Sequence, residues 1–300
     1  MIEFYEKLDV LYSIGDLAAV ESSIKEAIAE TLDGSAERAG LLNELAGFYR
    51  GLSRYEESET AFSQALDMFE AAGMGATPEY ATVLLNFAGL CRMKGQADKA
   101  VDLFITAKKK LEHAGEHESY AYISILNNLA LAYQEKNEYA TAFGYANTAL
   151  SRLRESTGNE HEIATSLNNL AAITLRQGDR LAADKYISEA LSIYDAMPET
   201  NVHHAAALTT KAVILCRAGD YPGALEGFRR ALDLTRQFFG ENIEYATCKR
   251  NISEVCELIG DRQNAIAEQA DALRIMENIL PPDHPSIQTA QKKLEQLKEM

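Results

Sequence analysis

Apolar residues along this chain recur at spacings of three and four and never alternate over a sustained run. That period is typical of amphipathic helices and gives no indication of strands. The helical stretches are separated by seven residues that suit a left-handed backbone, spaced 38 to 42 residues apart. These breaks are Gly15, Ser53, Gly95, Asn137, Gly178, Gly219 and Gly260. The pattern predicts an all-α chain built from a repeated unit.

Small side chains stand at fixed distances from each break. The residue twelve positions after a break is always alanine: Ala27, Ala65, Ala107, Ala149, Ala190, Ala231 and Ala272. The residue seven positions before a break is small in six of seven cases, as in Ala46, Ala88 and Ala130. Small residues on two successive helices let their axes approach closely, so each break is predicted to be the turn of an antiparallel helical hairpin. One hairpin cannot bury its own apolar face, and the hairpins should therefore stack into a solenoid.

The spacing also sets the expected domain organisation. Length alone suggests about two domains, whereas the repeat predicts one continuous solenoid domain over residues 1–300. The expected repeats are 1–32, 36–72, 78–114, 119–155, 161–197, 202–239 and 243–280, followed by a capping helix at 284–299. The cap is expected to be solubilising, because Lys292 and Lys293 replace the amides found at that position in earlier repeats.

Several segments carry a family resemblance. The sequence Gly-Asp-Tyr-Pro-Gly-Ala at 219–224 resembles the second helix of a tetratricopeptide repeat, and Leu-Asn-Asn-Leu-Ala at 126–130 and 167–171 resembles its first helix. The period, 41 or 42 residues over most of the chain, is longer than the usual ~34 and is similar to that of kinesin light chains and many bacterial proteins. The resemblance implies a right-handed superhelical solenoid that serves protein interaction.

The resemblance also implies where a partner would bind, because first helices line the concave surface of such arrays. Asparagine is a poor residue for a helix interior, so its repeated use there favours a functional role. Amides hydrogen-bond the backbone of an extended peptide, and arginines select acidic side chains or a free carboxylate. The candidate peptide-binding residues are Asn43, Arg50, Asn86, Arg92, Asn127, Asn128, Gln134, Asn168, Asn169, Arg176, Arg217, Arg250 and Asn251. An alternative stays open for each: the amides bridge neighbouring repeats and the arginines pair with nearby glutamates.

Composition narrows the class of partner. The chain has 29 basic and 45 acidic side chains, a net charge of −16, which argues against nucleic acid and anionic membranes as partners. No apolar run reaches the ~18 residues of a membrane span, and no secretory signal is visible at the start. Four cysteines without a CxxC pair favour buried, reduced thiols and a cytoplasmic location.

No motif for catalysis, a cofactor or a metal stands out. There is no phosphate loop and no GxSxG elbow. His113 and His117 are four residues apart, but Gly115 between them predicts a loop and not a zinc-binding helix face. His161, His203 and His204 are expected in solvated loops.

The sequence therefore predicts a non-catalytic scaffold that binds a protein or peptide. The rival interpretation is a regulatory sensor whose superhelix changes pitch when a small peptide binds. Self-association through the apolar first helix, near residues 2–14, is a further hypothesis. Lys211 stands at a usually buried position and is expected to extend its amine to the surface.

Overall fold

The structure, a computed structural model, describes residues 2–155, 157–197, 202–282 and 284–299. Over these residues the chain forms fifteen α-helices and no strand. The helices are α1 Ile2–Ser13, α2 Leu17–Glu30, α3 Ala36–Gly51, α4 Tyr55–Ala71, α5 Pro78–Met93, α6 Ala97–His113, α7 Tyr120–Glu135, α8 Tyr139–Leu153, α9 Glu160–Arg176, α10 Arg180–Ala196, α11 Val202–Arg217, α12 Tyr221–Phe239, α13 Ile243–Leu258, α14 Arg262–Ile279 and α15 Pro285–Glu299. The predicted all-α repeat array is confirmed.

Contacts between helices divide the chain into two compact units, Met1–Glu138 and Tyr139–Met300. In the first unit α1–α2, α3–α4 and α5–α6 are helical hairpins, and α7 packs on the last of them. In the second unit α8 packs on the hairpin α9–α10, which is followed by hairpins α11–α12 and α13–α14 and by the terminal helix α15. One continuous domain stays a prediction, and the two units are described separately below.

The break residues end their helices with a left-handed backbone, as the repeat requires. All seven have a positive φ, between +58° at Ser53 and +90° at Gly178. At Ser53 the following amide, Arg54 N–H, donates to the carbonyl of Tyr49 at 2.9 Å, which satisfies an acceptor at the helix end. Ser53 and Asn137 adopt this conformation without being glycine, so they carry a backbone cost that the other five breaks avoid.

The small residues around each break are the contact points of the hairpins. Ala46, Ala88 and Ala130 are fully buried. Where serine takes one of these positions it adds a hydrogen bond across the hairpin: Ser58 Oγ donates to the carbonyl of Ala46 at 2.7 Å, and Ser253 Oγ donates to that of Ala265 at 2.7 Å. The two serines stand on opposite helices of their hairpins, so either helix can supply the hydrogen bond.

The expected loops are wrong, because all three histidines lie in helices; His203 is exposed to solvent as expected, whereas packing between repeats buries His204. His161 lies in α9 and His204 in α11, where His204 is only 5% exposed. The His204 ring stacks on Tyr194 with centroids 5.4 Å apart, and its Nε2 lies 3.4 Å from Asp195 Oδ1. Tyr80 and Tyr122 occupy the same repeat position, where their hydroxyls donate to Glu70 and Glu112. His204 therefore replaces a packing tyrosine.

Two other expectations concern single side chains. Lys211 reaches from α11 to Asp184 on α10, with Nζ 2.6 Å from Oδ1, so the expected extension of its amine to the surface is confirmed. The four cysteines are free thiols; Cys91, Cys248 and Cys256 are buried and Cys216 is half-buried. Burial raises the pKa of the Cys248 thiol to about 12.

Among the described residues, no helix is long and apolar enough to cross a membrane.

Candidate functional site

The first helix of each hairpin contributes to one face of its unit. In the first unit α3 contacts α5 and α5 contacts α7; in the second, α9 contacts α11 and α11 contacts α13. The second helices α4, α6, α10 and α12 pack instead against the first helices before and after them. We call the side formed by α3, α5 and α7, and separately that formed by α9, α11, α13 and α15, the first-helix face. All thirteen predicted peptide-binding residues lie on these helices.

In the first unit, three predicted residues form a direct bridge between two repeats. Asn86 on α5 donates from Nδ2 to Asn43 Oδ1 on α3 at 3.0 Å. Arg50, also on α3, donates from Nη1 to the backbone carbonyl of Asn86 at 3.1 Å. The bridging alternative therefore holds for this trio. The three residues hold one another in place and form a polar surface of fixed geometry.

Arg50 depends on a glycine that the sequence analysis did not single out. A Cβ added at Gly89 would lie 3.1 Å from Arg50 Nη1, so the missing side chain makes room for the guanidinium across α5. Burial, and next the charge of Arg92, lower the pKa of Arg50 from its usual value. Arg50 is therefore a half-buried cation that lies near a second cation.

The remaining residues of the first unit have mixed surroundings. Arg92 on α5 pairs with Glu135 on α7, with Nη1 2.6 Å from Oε1. Asn128 donates from Nδ2 to the carbonyl of Ser124 in its own helix at 2.9 Å. Asn127 is half-buried beside it. Gln134 has a buried Oε1 that accepts no hydrogen bond within the described part of the chain.

In the second unit, α9 and α11 carry four of the predicted residues. Asn169 is 8% exposed, whereas Asn168 is half-buried with an Oδ1 that receives no donor from the residues the structure describes. Arg217 donates from Nη1 to the carbonyl of Leu175 at 3.0 Å, which joins α11 to α9. Arg176 is exposed. A buried acceptor without a donor costs about 1–3 kcal/mol, so Asn168 gains from any donor that reaches it.

The last two predicted residues line a cavity of about 600 Å³ between α13, α14 and α15. Arg250 and Asn251 stand on its α13 side, and Lys292 and Lys293 on its α15 side. Gln269 of α14 also lines it and donates from Nε2 to the carbonyl of Ala290 at 2.8 Å. The sequence predicted only that the two lysines solubilise a cap. They follow Arg250 and Asn251 by one repeat, and this register could have predicted that they stand opposite those two residues.

Eight of the thirteen predicted residues fall into two contrasting groups. Residues that link neighbouring helices are Asn43, Arg50, Asn86, Arg92 and Arg217. By contrast, Arg176, Arg250 and Asn251 make no hydrogen bond or ion pair with any residue that the structure describes. The first group links the helices of the face, and the second group carries hydrogen-bond donors that no described residue uses.

Comparisons with known proteins agree with this architecture. The sequence model of the Tetratricopeptide repeat family matches residues 37–109, 122–196 and 203–278. The crystal structure of BtubC (BKLC) from P. vanneervenii is similar, with 21% identity and a TM-score of 0.60 over 75% of this chain and 92% of that one. No protein among the curated sequences matches this chain.

Two further solved structures are similar over nearly the whole chain. A Rap protein complexed with Competence and Sporulation Factor has 15% identity and a TM-score of 0.67, covering 99% of this chain and 84% of that one. NprR in complex with its cognate peptide NprX has 14% identity and a TM-score of 0.67, covering 100% of this chain and 88% of that one. At such identities the likeness concerns the fold alone.

Proposed function

This chain belongs to the tetratricopeptide-repeat family, and from that premise we propose that it is a non-catalytic interaction scaffold that binds a peptide or a partner segment on its first-helix face. The proposed partner is an extended segment that carries acidic side chains or a free carboxylate. The proposed setting is the cytoplasm, in keeping with four free thiols.

One observation carries this proposal: the first-helix faces present amides and guanidinium groups at repeat spacing. The fixed trio Asn43, Asn86 and Arg50 arranges the face of the first unit. In the second unit, Asn168 holds an acceptor that no described residue satisfies. Backbone N–H and C=O groups of an extended peptide have matching polarity, because amides both donate and accept hydrogen bonds. The solved complexes of Rap and NprR support a peptide as the partner class.

The test is binding of a fluorescein-labelled random octapeptide library, measured by anisotropy. Two variants separate the units: N127A/N128A alters α7, and N168A/N169A alters α9. The matched control is N147A, because Asn147 is an exposed asparagine on α8, a helix that belongs to neither first-helix face. We expect weaker binding by at least about tenfold in one or both paired variants, since a few hydrogen bonds are lost, and no change in N147A.

Circular dichroism must first establish that each variant is folded. Unchanged binding by both folded paired variants would contradict the first-helix face as the binding surface. An equal loss in N147A would indicate a global effect of asparagine removal and would also contradict the assignment.

The second candidate function is a ligand-responsive sensor, which the fold likeness to the peptide complex of NprR favours. It differs from a passive scaffold in one physical respect: the peptide must bind two conformations with different affinity. Small-angle scattering with and without a bound library peptide tests this. A changed profile supports the sensor, and an unchanged profile supports the scaffold.

We also propose that the chain self-associates through its N-terminal helix, because apolar side chains of this region are exposed. Val10 is 60% exposed and Ile14 68% exposed, with Tyr12 and Leu17 beside them. Exposed apolar surface of this kind favours pairing. Light scattering over a concentration series tests it, and a constant monomer mass at high concentration would remove the idea.

A further inference from the structure

Three of the six histidines of the chain lie together at one junction of the second unit, where α11 packs on α9 and α10. His161 is on α9, and His203 and His204 are in the first turn of α11. The rings of His161 and His203 meet edge to face with centroids 4.9 Å apart, and the His204 ring stacks on Tyr194 of α10. We call His161, His203 and His204 the histidine cluster.

Tyr194 connects the histidine cluster to the core of the second unit. It is 2% exposed, and its hydroxyl lies 3.0 Å from Thr165 Oγ1 of α9. Its ring also contacts the His161 ring, with centroids 6.1 Å apart. One buried side chain of α10 therefore contacts both α9 and α11. A charge placed on His161 or His204 consequently lies within the contact that holds α11 to the two preceding helices.

The repeat register shows which contact the junction has in place of a tyrosine. In the first unit, a tyrosine fifteen residues before a break donates to a glutamate seventeen residues after the preceding break. These pairs are Tyr80 with Glu70 at 2.5 Å and Tyr122 with Glu112 at 3.0 Å. At the same two positions the α10–α11 junction has His204 and Asp195, with Nε2 3.4 Å from Oδ1. An imidazole therefore replaces a phenol beside the carboxylate.

The two kinds of contact differ in the pH at which they change charge. Burial, and next the hydrogen bond to Glu70, raise the pKa of Tyr80 to about 12, so that hydroxyl keeps its proton near neutral pH. A histidine gains a charge near its ordinary pKa of about 6.5. Burial lowers the pKa of His204, because a buried cation loses its hydration; Asp195 opposes this shift and Arg230 of α12 adds to it. The folded junction therefore favours the neutral ring.

The other two histidines add a repulsion to the protonated junction. Two charged rings at the separation of His161 and His203 repel each other. The carboxylate of Glu162 on α9 attracts a charged His203 and offsets part of that repulsion. Protonation is thus opposed by burial at His204 and by like charge at its neighbour in the chain.

The C-terminal half of α11 is held by contacts that involve no histidine. Lys211 Nζ lies 2.6 Å from Asp184 Oδ1 of α10. Arg217 donates from Nη1 to the carbonyl of Leu175 on α9 at 3.0 Å. One end of α11 is therefore attached by an ion pair and a backbone hydrogen bond, and the other end by the histidine cluster.

We propose that the histidine cluster makes the α10–α11 junction a proton-sensitive hinge: when the histidines gain protons, the N-terminal half of α11 separates from α9 and α10 while its C-terminal half stays attached. Because α11 belongs to the first-helix face of the second unit, a fall in pH changes that face. This device goes beyond the proposed function and does not depend on it.

The experiment is hydrogen exchange followed by mass spectrometry at pH 7.5 and 5.5, with each rate divided by the intrinsic rate at that pH. Amides 206–210 of α11 report on the hinge, and amides 124–128 of α7, at the same repeat positions, are the internal control. A histidine that is neutral in the closed junction and ordinary in the open one favours opening by about tenfold between these pH values. We expect exchange at 206–210 to rise by about that factor relative to 124–128, with no such rise at 214–217.

Two paired variants test the residues. H204Y/D195E gives the junction the pair found in the first unit and should bring the relative rise at 206–210 to within about twofold of none. The reciprocal variant Y122H/E112D transfers the histidine pair to α6–α7 and should make exchange at 124–128 pH-dependent. H203Q keeps the test valid if H204Y/D195E fails to fold, because His203 is exposed, and it should reduce the rise at 206–210. The matched control H113Q removes an exposed histidine of α6 and should leave that rise unchanged.

Three outcomes would overturn the hinge. The first is an equal change at 206–210 and 124–128 in the unaltered protein. The second is a rise that persists in folded H204Y/D195E, or in H203Q to the same extent as in H113Q. The third is a rise of equal size at 214–217, which would indicate that the whole of α11 separates. No peptide is present in these measurements, so they stand whether or not the scaffold proposal fails.

Discussion

The space that Gly89 leaves for the Arg50 guanidinium gives a sharp test of how the first-helix face is arranged. The substitution is Gly89→Ala. A Cβ at this position would lie 3.1 Å from Arg50 Nη1, the atom that donates to the carbonyl of Asn86. The guanidinium must then move, and its hydrogen bond lengthens or breaks.

Two terms of opposite sign determine the free energy of unfolding. Alanine in place of glycine inside a helix stabilises by about 1 kcal/mol. Loss of a hydrogen bond from a charged donor costs roughly 1.5–3 kcal/mol when the groups are buried, and about 1 kcal/mol here, because the half-buried guanidinium regains water. The two terms nearly cancel, so G89A should leave stability almost unchanged.

The matched control is Gly47→Ala on α3, where an added Cβ meets no atom within 4 Å. G47A should gain the full ~1 kcal/mol, and in an R50A background G89A should gain the same amount. Urea denaturation followed by circular dichroism gives all four values of the cycle. Equal stabilisation by G89A and G47A in the presence of Arg50 would refute the claim that Gly89 makes room for the guanidinium.

Two further predictions concern backbone and titration. Ser53→Gly should raise the free energy of unfolding by about 1 kcal/mol, because φ at Ser53 is +58° and glycine adopts that conformation without a steric cost. Asn137→Gly should raise it by less. The urea midpoints of the two variants will rank the two gains. Burial lowers the pKa of His204; Asp195 opposes this shift and Arg230 adds to it. The unfolded chain therefore binds more protons than the folded chain near the ordinary histidine pKa. The free energy of unfolding should accordingly fall as the pH drops below about 6.5. His204→Tyr should reduce that slope; an identical pH dependence in the variant would contradict the assignment.

The repeated pattern of small residues made the helices predictable, because close packing acts through the residues that define the repeat. Ala88 and Ala130 are buried where the spacing placed them. His204 was not predictable from its neighbours along the chain, since its environment comes from Tyr194 on the preceding helix. The partners of the arginines were equally hidden: Arg50, three residues before its break, contacts a carbonyl of the next repeat, whereas Arg250, ten residues before its break, faces a cavity.

The placement of lysine and arginine explains how an acidic chain can offer positive charge to a partner. Lysines on or just after first helices are mostly neutralised by carboxylates of second helices: Lys94 pairs with Glu59 of α4, and Lys249 with Glu268 of α14. These contacts hold helices together and leave little charge for a ligand. Arg176, Arg250 and Lys292 make no such pair within the described residues, and all three stand on first-helix faces of the second unit. The positive charge that this face presents in the second unit is consequently set by a few unpaired side chains and not by the net charge of the chain.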